Sequence, residues 1–203
     1  MYPLVMISPG DAELINGTSE TRRKFIDGII SQYDKIYLEK LIAYNQVLKQ
    51  RNALLKQFYE SRAFDSVTLE IWDEQLIIHG KGILQIRLDF IKEFIPLFNK
   101  HYAYISESKE EVSLNYESSV GERDYKTAIL TSMERDRILH YTTVGPHKDD
   151  LDFTTNGFSL KKFASQGQQK SYLLALKLAQ FEFIKTKKNT KHLSEIIITY
   201  QFN

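Results

Sequence analysis

Ser165-Gln166-Gly167-Gln168-Gln169, followed by Lys170-Ser171-Tyr172 and the run Leu173-Leu174-Ala175-Leu176-Lys177-Leu178-Ala179-Gln180, is the stretch around which the chain is organised. A short polar segment with one glycine opens directly onto strong helix formers, which predicts a loop at a helix N-terminus. There the first backbone N–H groups lack an intrahelical acceptor and the helix dipole adds partial positive charge, so the end favours an anion such as phosphate. Gly167 has no Cβ and admits close backbone approach, Ser165 adds a hydroxyl, and the glutamines add neutral amide donors. An ordinary polar N-cap uses the same residue types, and the pentapeptide taken alone favours that reading over an anion site. The rows Leu174-Leu178-Phe181 and Tyr172-Leu176-Ala179-Phe183 make the apolar stripe wide, which predicts a mostly buried helix that aims its loop rigidly.

The rest of the composition sets limits on function. With 203 residues and 42% hydrophobic content the chain has enough apolar material for a real core. Lys plus Arg total 27 against 26 for Asp plus Glu, a net charge of +1, which excludes a basic nucleic-acid footprint over the whole surface but allows a local patch. The absence of cysteine excludes disulfides, cysteine metal sites and cysteine nucleophiles. The opening Met1 to Ser8 lacks a basic n-region, and no apolar run reaches the ~20 residues that span a bilayer, so a cytoplasmic location is expected and no membrane partner.

Leu4 to Ile7 reads as a buried strand stopped by Ser8-Pro9-Gly10, then a helical turn from Asp11 to Gly17, then a helix capped by Thr18 or Ser19. Its Arg22-Arg23-Lys24 trio reads equally as a phosphate contact or a solvated face with Arg23 paired to Asp27. From Tyr37 the positions Tyr37, Leu41, Tyr44, Leu48, Arg51, Leu55 and Phe58 alternate by four and three, a heptad seam with one charged interruption. A second seam runs Leu69, Trp72, Leu76, Ile83, Ile86, Phe90 and Leu97. The connector Glu60 to Ser66 is short, so the two helices are predicted to form an antiparallel hairpin, with a kink or break at Gly80, Gly82 or Pro96. After a polar loop at Ser106 to Glu111, Val112 to Tyr116 alternates as a strand. Tyr125 to Leu139 is helical, with Ala128, Ile129, Leu130 and Met133 inward and Glu134 to Arg137 outward. Thr142 to Phe153 reads as strand, sharp turn, strand, and Phe158 to Phe163 as a further strand after a turn at Gly157. The whole is an α/β chain in which a long helical arm is inserted into part of a mixed α/β lobe: residues 1–33 partial lobe, 34–105 arm, 106–203 partial lobe with the Ser165–Gln169 loop and its helix.

Several blocks in order resemble one family. Gly145-Pro146-His147-Lys148-Asp149-Asp150-Leu151, Phe163-Ala164-Ser165-Gln166-Gly167-Gln168-Gln169 and Leu174-Ala175-Leu176-Lys177-Leu178-Ala179 resemble the bacterial RecF family, ABC-type ATPases of the SMC-like branch. Ser8-Pro9 with Asp11, Arg22-Arg23 with Phe25 and Asp27, Gln50-Arg51-Asn52 and Trp72-Asp73 with Gln75-Leu76 are similar to the same family, so the match covers most of residues 4 to 185. Lys148 stands where the family usually has arginine. The resemblance implies a DNA replication, repair and recombination protein of the SOS response. Such a protein binds ATP with Mg²⁺, self-associates around it, engages DNA at single-stranded/double-stranded junctions, works with RecR- and RecO-type mediators and supports recombinase loading. Ser165, Gln166, Gly167, Gln168 and Gln169 would be its signature motif, contacting the γ-phosphate of ATP held by the P-loop of a partner protomer.

Two family features are not found in the sequence. Nothing fits G-x-x-x-x-G-K-[ST], since Lys170-Ser171 is preceded by Gln169 and Ala164 occupies the place of the first glycine. The aliphatic Ile196-Ile197-Ile198 is followed by Thr199-Tyr200 in place of paired acids that would hold Mg²⁺. The chain therefore reads as an internal fragment expected to bind no nucleotide and hydrolyse no ATP alone. A different class of reading is a free-standing RecF-like interaction module whose partner binding does not depend on ATP. A third is a metal enzyme using His147, Asp149, Asp150 and Asp152, disfavoured because neighbouring strand residues point to opposite faces and the carboxylates serve better as acceptors in the turn.

Overall fold

The computed structural model describes residues 4–188 and 195–198. In chain order these form β1 (Leu4–Ile7), a 3-10 turn (Pro9–Ala12), α1 (Glu13–Asn16), α2 (Ser19–Ile30), α3 (Lys35–Ser61) and α4 (Ser66–Ser106). Then follow β2 (Val112–Glu117), α5 (Tyr125–Leu139), a 3-10 turn (Pro146–Lys148), β3 (Asp150–Thr155), β4 (Phe158–Ser159), α6 (Leu160–Phe163), α7 (Gln166–Lys187) and β5 (Glu195–Ile198). The described residues divide into two units, one lying within Met1–Tyr33, Leu88–Tyr116 and Asp150–Asn203, the other within Asp34–Arg87 and Glu117–Asp149. The second unit is thus wider than one inserted stretch: it takes in residues 117–149, while residues 88–105 belong with the first.

In the second unit α3 and the first half of α4 lie antiparallel, as the short connector predicts. Tyr37 meets Arg87, Gly82 approaches Lys40, and Arg51 meets Asp73, so one number falls as the other rises. Arg51, the charged interruption of the seam, is fully buried. Its Nε donates to Asp73 Oδ1 at 2.5 Å and its Nη1 to Asp136 Oδ2 at 2.7 Å and Thr142 Oγ1 at 2.8 Å. This one guanidinium joins α3, α4, α5 and the segment beyond α5. It also corrects the outward placement of Asp136, which the ion pair buries completely, while Leu130, expected inward, is half exposed. Thr142 and Thr143 form no strand because their hydrogen-bonding groups are taken by side chains. Thr142 N donates to Asn52 Oδ1 at 2.8 Å and Thr143 N to Asp136 Oδ1 at 2.9 Å.

No break occurs in α4. Gly80 is there for contact, since a Cβ would lie 2.3 Å from Tyr125 Cε1. Pro96 sits on the exposed face, where the carbonyl it leaves without a donor faces water. Past Arg87 the buried positions shift to Phe90, Phe94, Phe98 and Tyr102, four apart, so Leu97 of the expected seam is displaced by its neighbour Phe98.

These rings form the core of the first unit against α7. Phe90 packs on Phe183 with centroids 5.0 Å apart, Phe98 on Tyr172 at 4.6 Å, and Phe153 of β3 on Tyr172 at 5.2 Å. The row Tyr172, Leu176, Ala179, Phe183 is buried throughout, as the wide stripe predicts. One small sheet has the order β2-β3-β4, with β3 and β4 antiparallel around Asn156-Gly157, and β1 pairs parallel with β5. Strand β4 stops at Ser159, and Leu160–Phe163 is a helical turn where the sequence predicts continued strand. Thr199 to Asn203, where a family member would carry its magnesium-site acids, lie outside the described residues.

Replacing Arg51 with Met leaves two buried carboxylates unpaired and is expected to destabilise the chain by about 3–5 kcal/mol in urea unfolding. Gly80→Ala should lower stability by about 1–3 kcal/mol through overpacking against Tyr125, although helix propensity alone gives a gain of about 1 kcal/mol.

Candidate functional site

Ser165 is the N-cap of α7, with extended backbone that turns the chain into the helix. Its Oγ accepts from Gln168 N at 3.2 Å while its own N donates to Gln168 Oε1 at 2.8 Å, a reciprocal capping box. Because Oγ uses a lone pair here, its proton remains available to donate outward. Ser165, Gln166 and Gly167 are all exposed. As the first two helical positions, Gln166 and Gly167 have N–H groups for which the helix supplies no acceptor. An added Cβ at Gly167 would meet only Ser165 Oγ at 3.8 Å, so the fold itself does not require glycine there. What the missing Cβ leaves open is approach from solvent.

The side chains of the other two glutamines are engaged within the fold. Gln168 Nε2 donates to Glu110 Oε1 at 2.8 Å. Gln169 Oε1 accepts from Asn16 Nδ2 at 3.3 Å, and its Nε2 lies 3.5 Å from the carbonyls of Leu160 and Ala164. They are struts of the loop, and the presented face is Ser165, Gln166 and Gly167. The first turn of α7 carries no acidic residue and Lys161, Lys162 and Lys170 nearby are exposed, while the Glu110 carboxylate lies against Gln168.

Behind the loop stand residues that sequence reading passed over. Glu110, in the stretch read only as a polar loop, also accepts a hydrogen bond from Tyr102 Oη. The Tyr102 and Gln168 hydrogen bonds hold the Glu110 carboxyl below the usual carboxylate range. Burial, then the Glu110 contact, pushes the Tyr102 hydroxyl up, so it stays a donor. Tyr172, raised chiefly by burial, donates to Ser113 O at 2.7 Å and ties α7 to β2.

No family model matches the chain. Individual relatives do. The DNA replication and repair protein RecF of Flavobacterium johnsoniae is 53% identical over 189 residues, 93% of this chain and 53% of the relative. RecF of Phocaeicola vulgatus is 50% identical over 183 residues, 90% of this chain and 48% of the relative. A solved structure of the recombination mediator protein RecF with ATPrS superposes with a TM-score of 0.89 at 30% identity, covering 97% of this chain and 54% of that one. The chain belongs to the RecF family. It spans about half the length of the curated relatives it matches. The mixed α/β fold with a long helical arm is that of the solved RecF structures.

The second RecF-like block, Gly145 to Asp150, is built into the fold on both sides. Gly145 has φ +133°, and a Cβ there would lie 2.5 Å from Tyr44 Oη and 2.6 Å from Tyr125 Oη, so no other residue fits. His147 Nε2 lies 3.0 Å from the Thr142 carbonyl, which only accepts, so Nε2 carries the proton and Nδ1 accepts from Tyr44 Oη at 2.7 Å. Asp149 accepts from Ser119 N at 2.8 Å and stands 3.8 Å from Arg87 Nη1. Asp150 takes a forked pair from Arg22, Nε to Oδ1 at 2.7 Å and Nη2 to Oδ2 at 2.8 Å. The neighbouring carboxylates thus serve different partners, and among the described residues no group of three acidic or histidine side chains is placed to hold a metal. Of the basic trio, Arg22 is committed to Asp150 and Lys24 pairs with Glu20 at 2.7 Å. No helix among the described residues is long and apolar enough to cross a membrane.

In urea unfolding of this chain, Ser165→Ala should cost about 1 kcal/mol through loss of the cap. Gly167→Ala should be neutral or stabilising by about 0.5–1 kcal/mol, since Ala is the better helix residue and meets no crowding.

Proposed function

We propose that this chain supplies the signature face of a RecF-type ATPase acting in DNA replication and repair. Its Ser165-Gln166-Gly167 face would meet the γ-phosphate of ATP held, with Mg²⁺, by the P-loop of a second protomer. The observation that carries the reading is the N-terminus of α7, where the Ser165 hydroxyl and the N–H groups of Gln166 and Gly167 share one exposed end whose first turn contains no acidic residue. That donor set suits a terminal phosphate, which carries three strong acceptor oxygens, and the dipole adds to it. The 203 residues contain no phosphate-cradling loop of their own, so the nucleotide's other contacts must come from elsewhere in the assembly.

Binding at this face would add to dimer affinity only when ATP is present, because the donors have nothing to meet without it. ATP would then act as an adhesive between protomers, and hydrolysis would release them. The solved relatives are described as RecF with ATP and with ATPrS in the RecFOR pathway, which supports nucleotide use by this fold. By the same likeness the intact assembly would engage DNA at single-stranded/double-stranded junctions, work with RecR- and RecO-type mediators and support recombinase loading.

In a full-length RecF-family protein carrying these residues, Ser165→Arg or Gly167→Asp should abolish ATP-dependent dimerisation in light scattering with ATP and Mg²⁺, while melting stays cooperative and Ser165→Arg loses no more stability than the ~1 kcal/mol of its cap. The first fills the phosphate position and the second repels it. Dimerisation at wild-type ATP concentration in both variants would reject the role assigned to the loop.

A further inference from the structure

The Gln168 amide has two faces that differ only in which end is oxygen, and its contacts choose between them. One end meets Ser165 N, a donor, at 2.8 Å, and the other meets Glu110 Oε1, an acceptor, at 2.8 Å. Rotating the amide by half a turn would set NH₂ against N–H and oxygen against carboxylate, two repulsive contacts in place of two bonds. The backbone N–H of Ser165 is a fixed donor in any N-cap of this kind. The second selective element, which the cap itself does not supply, is Glu110, which when ionised can only accept.

Glu110 is itself held from three sides. Tyr102 Oη donates to its second carboxylate oxygen, and Tyr102 is buried against Phe98 and Tyr172 with ring centroids 6.1 and 5.9 Å away. On the backbone side, Glu111 N donates to Asn156 Oδ1 at 3.1 Å and Asn156 N to Glu111 O at 2.7 Å, pinning the next residue to the β3–β4 turn. Ahead of it Glu107 and Ser108 take the left-handed conformation, and Ser108 N donates to Ala103 O at 2.9 Å, closing the end of α4.

We propose that Glu110 is a positioning residue for the signature loop: held by Tyr102, it fixes the Gln168 amide, which caps Ser165 and thereby aims the Ser165 hydroxyl and the Gln166 and Gly167 N–H groups at the phosphate. The proposal rests on the phosphate-binding reading of the loop. It assigns the last turn of α4 and the loop after it to the ATP-dependent interface, although neither touches the nucleotide. Without Glu110 only the Ser165 N–H would select the amide orientation and nothing would hold the Nε2 end, so the capping box would open more often and the first turn of α7 would fray.

The test uses a full-length RecF-family protein carrying these residues, with dimerisation followed by light scattering as ATP is raised in the presence of Mg²⁺. Glu110→Ala should raise the ATP concentration for half-maximal dimerisation about tenfold, the effect of losing one charge-assisted hydrogen bond. ATP binding by dilute protomers, read with a fluorescent ATP analogue, should not change, because that pocket lies outside these residues. Glu110→Gln, which keeps the shape and one acceptor, should show a smaller shift in the same direction and serves where the alanine variant folds poorly. Gln168→Ala should match Glu110→Ala, and the double variant should be no worse than Gln168→Ala alone, since both act through one amide. Wild-type dimerisation by Glu110→Ala and Glu110→Gln, or losses that multiply in the double variant, would overturn the assignment. If Ser165→Arg abolishes dimerisation while the Glu110 variants are silent, only this inference fails. If Ser165→Arg dimerises normally, the loop's role fails first.

Discussion

Helix α4 runs for 41 residues, and each unit takes part of its core from it. Its first half supplies Asp73 to the buried Arg51 and Gly80 to the packing of Tyr125, and Arg87 beside Asp149. Its second half supplies Phe90, Phe94, Phe98 and Tyr102 to the aromatic core around α7. Two glycines and a proline lie inside it, and propensity alone would break it there. Tertiary packing overrides propensity at Gly80, and solvent tolerates Pro96. The helix is held together by what its side chains meet.

Much of this was visible in the sequence because it is periodic. The seam of α3, the wide stripe of α7 and the hairpin's antiparallel sense follow from spacing and from one short connector, and spacing is a local property. The failures share a cause of another kind. Asp136, Thr142 and Thr143 were misplaced because Arg51 and Asn52, 85 and 90 residues away along the chain, dictate their use. Glu110 was missed because nothing local distinguishes it from Glu107 or Glu111; only its contacts with Tyr102 and Gln168 set it apart. Burial of a charged residue is a pairwise fact, and a single sequence shows only one member of each pair at a time.

The candidate site shows the same division. That Ser165-Gln166-Gly167-Gln168-Gln169 opens a helix was legible from residue types. That the five residues split into a presented face and a pair of inward struts was not, because Ser, Gly and Gln look equally polar on paper. The split matters chemically. Donors that face a phosphate act well only if they are already in place, and side chains spent on bracing remove the entropy that the ligand would otherwise have to overcome. The histidine of the second block is likewise committed, with both ring nitrogens engaged, so a residue type usually suspected of proton transfer serves here to shape a turn.

Tyr125 fills the space left by two absent Cβ atoms, one at Gly80 on α4 and one at Gly145 ahead of the Pro146–Lys148 turn. The three positions therefore form a single steric contract although 45 and 20 residues of chain separate them from one another. Neither glycine is free to drift toward alanine while the ring stays, and a smaller side chain at 125 would leave a void against both. A smaller ring partner at 125 would therefore free position 80 but not position 145, which its φ of +133° and the Tyr44 hydroxyl keep as glycine in any case.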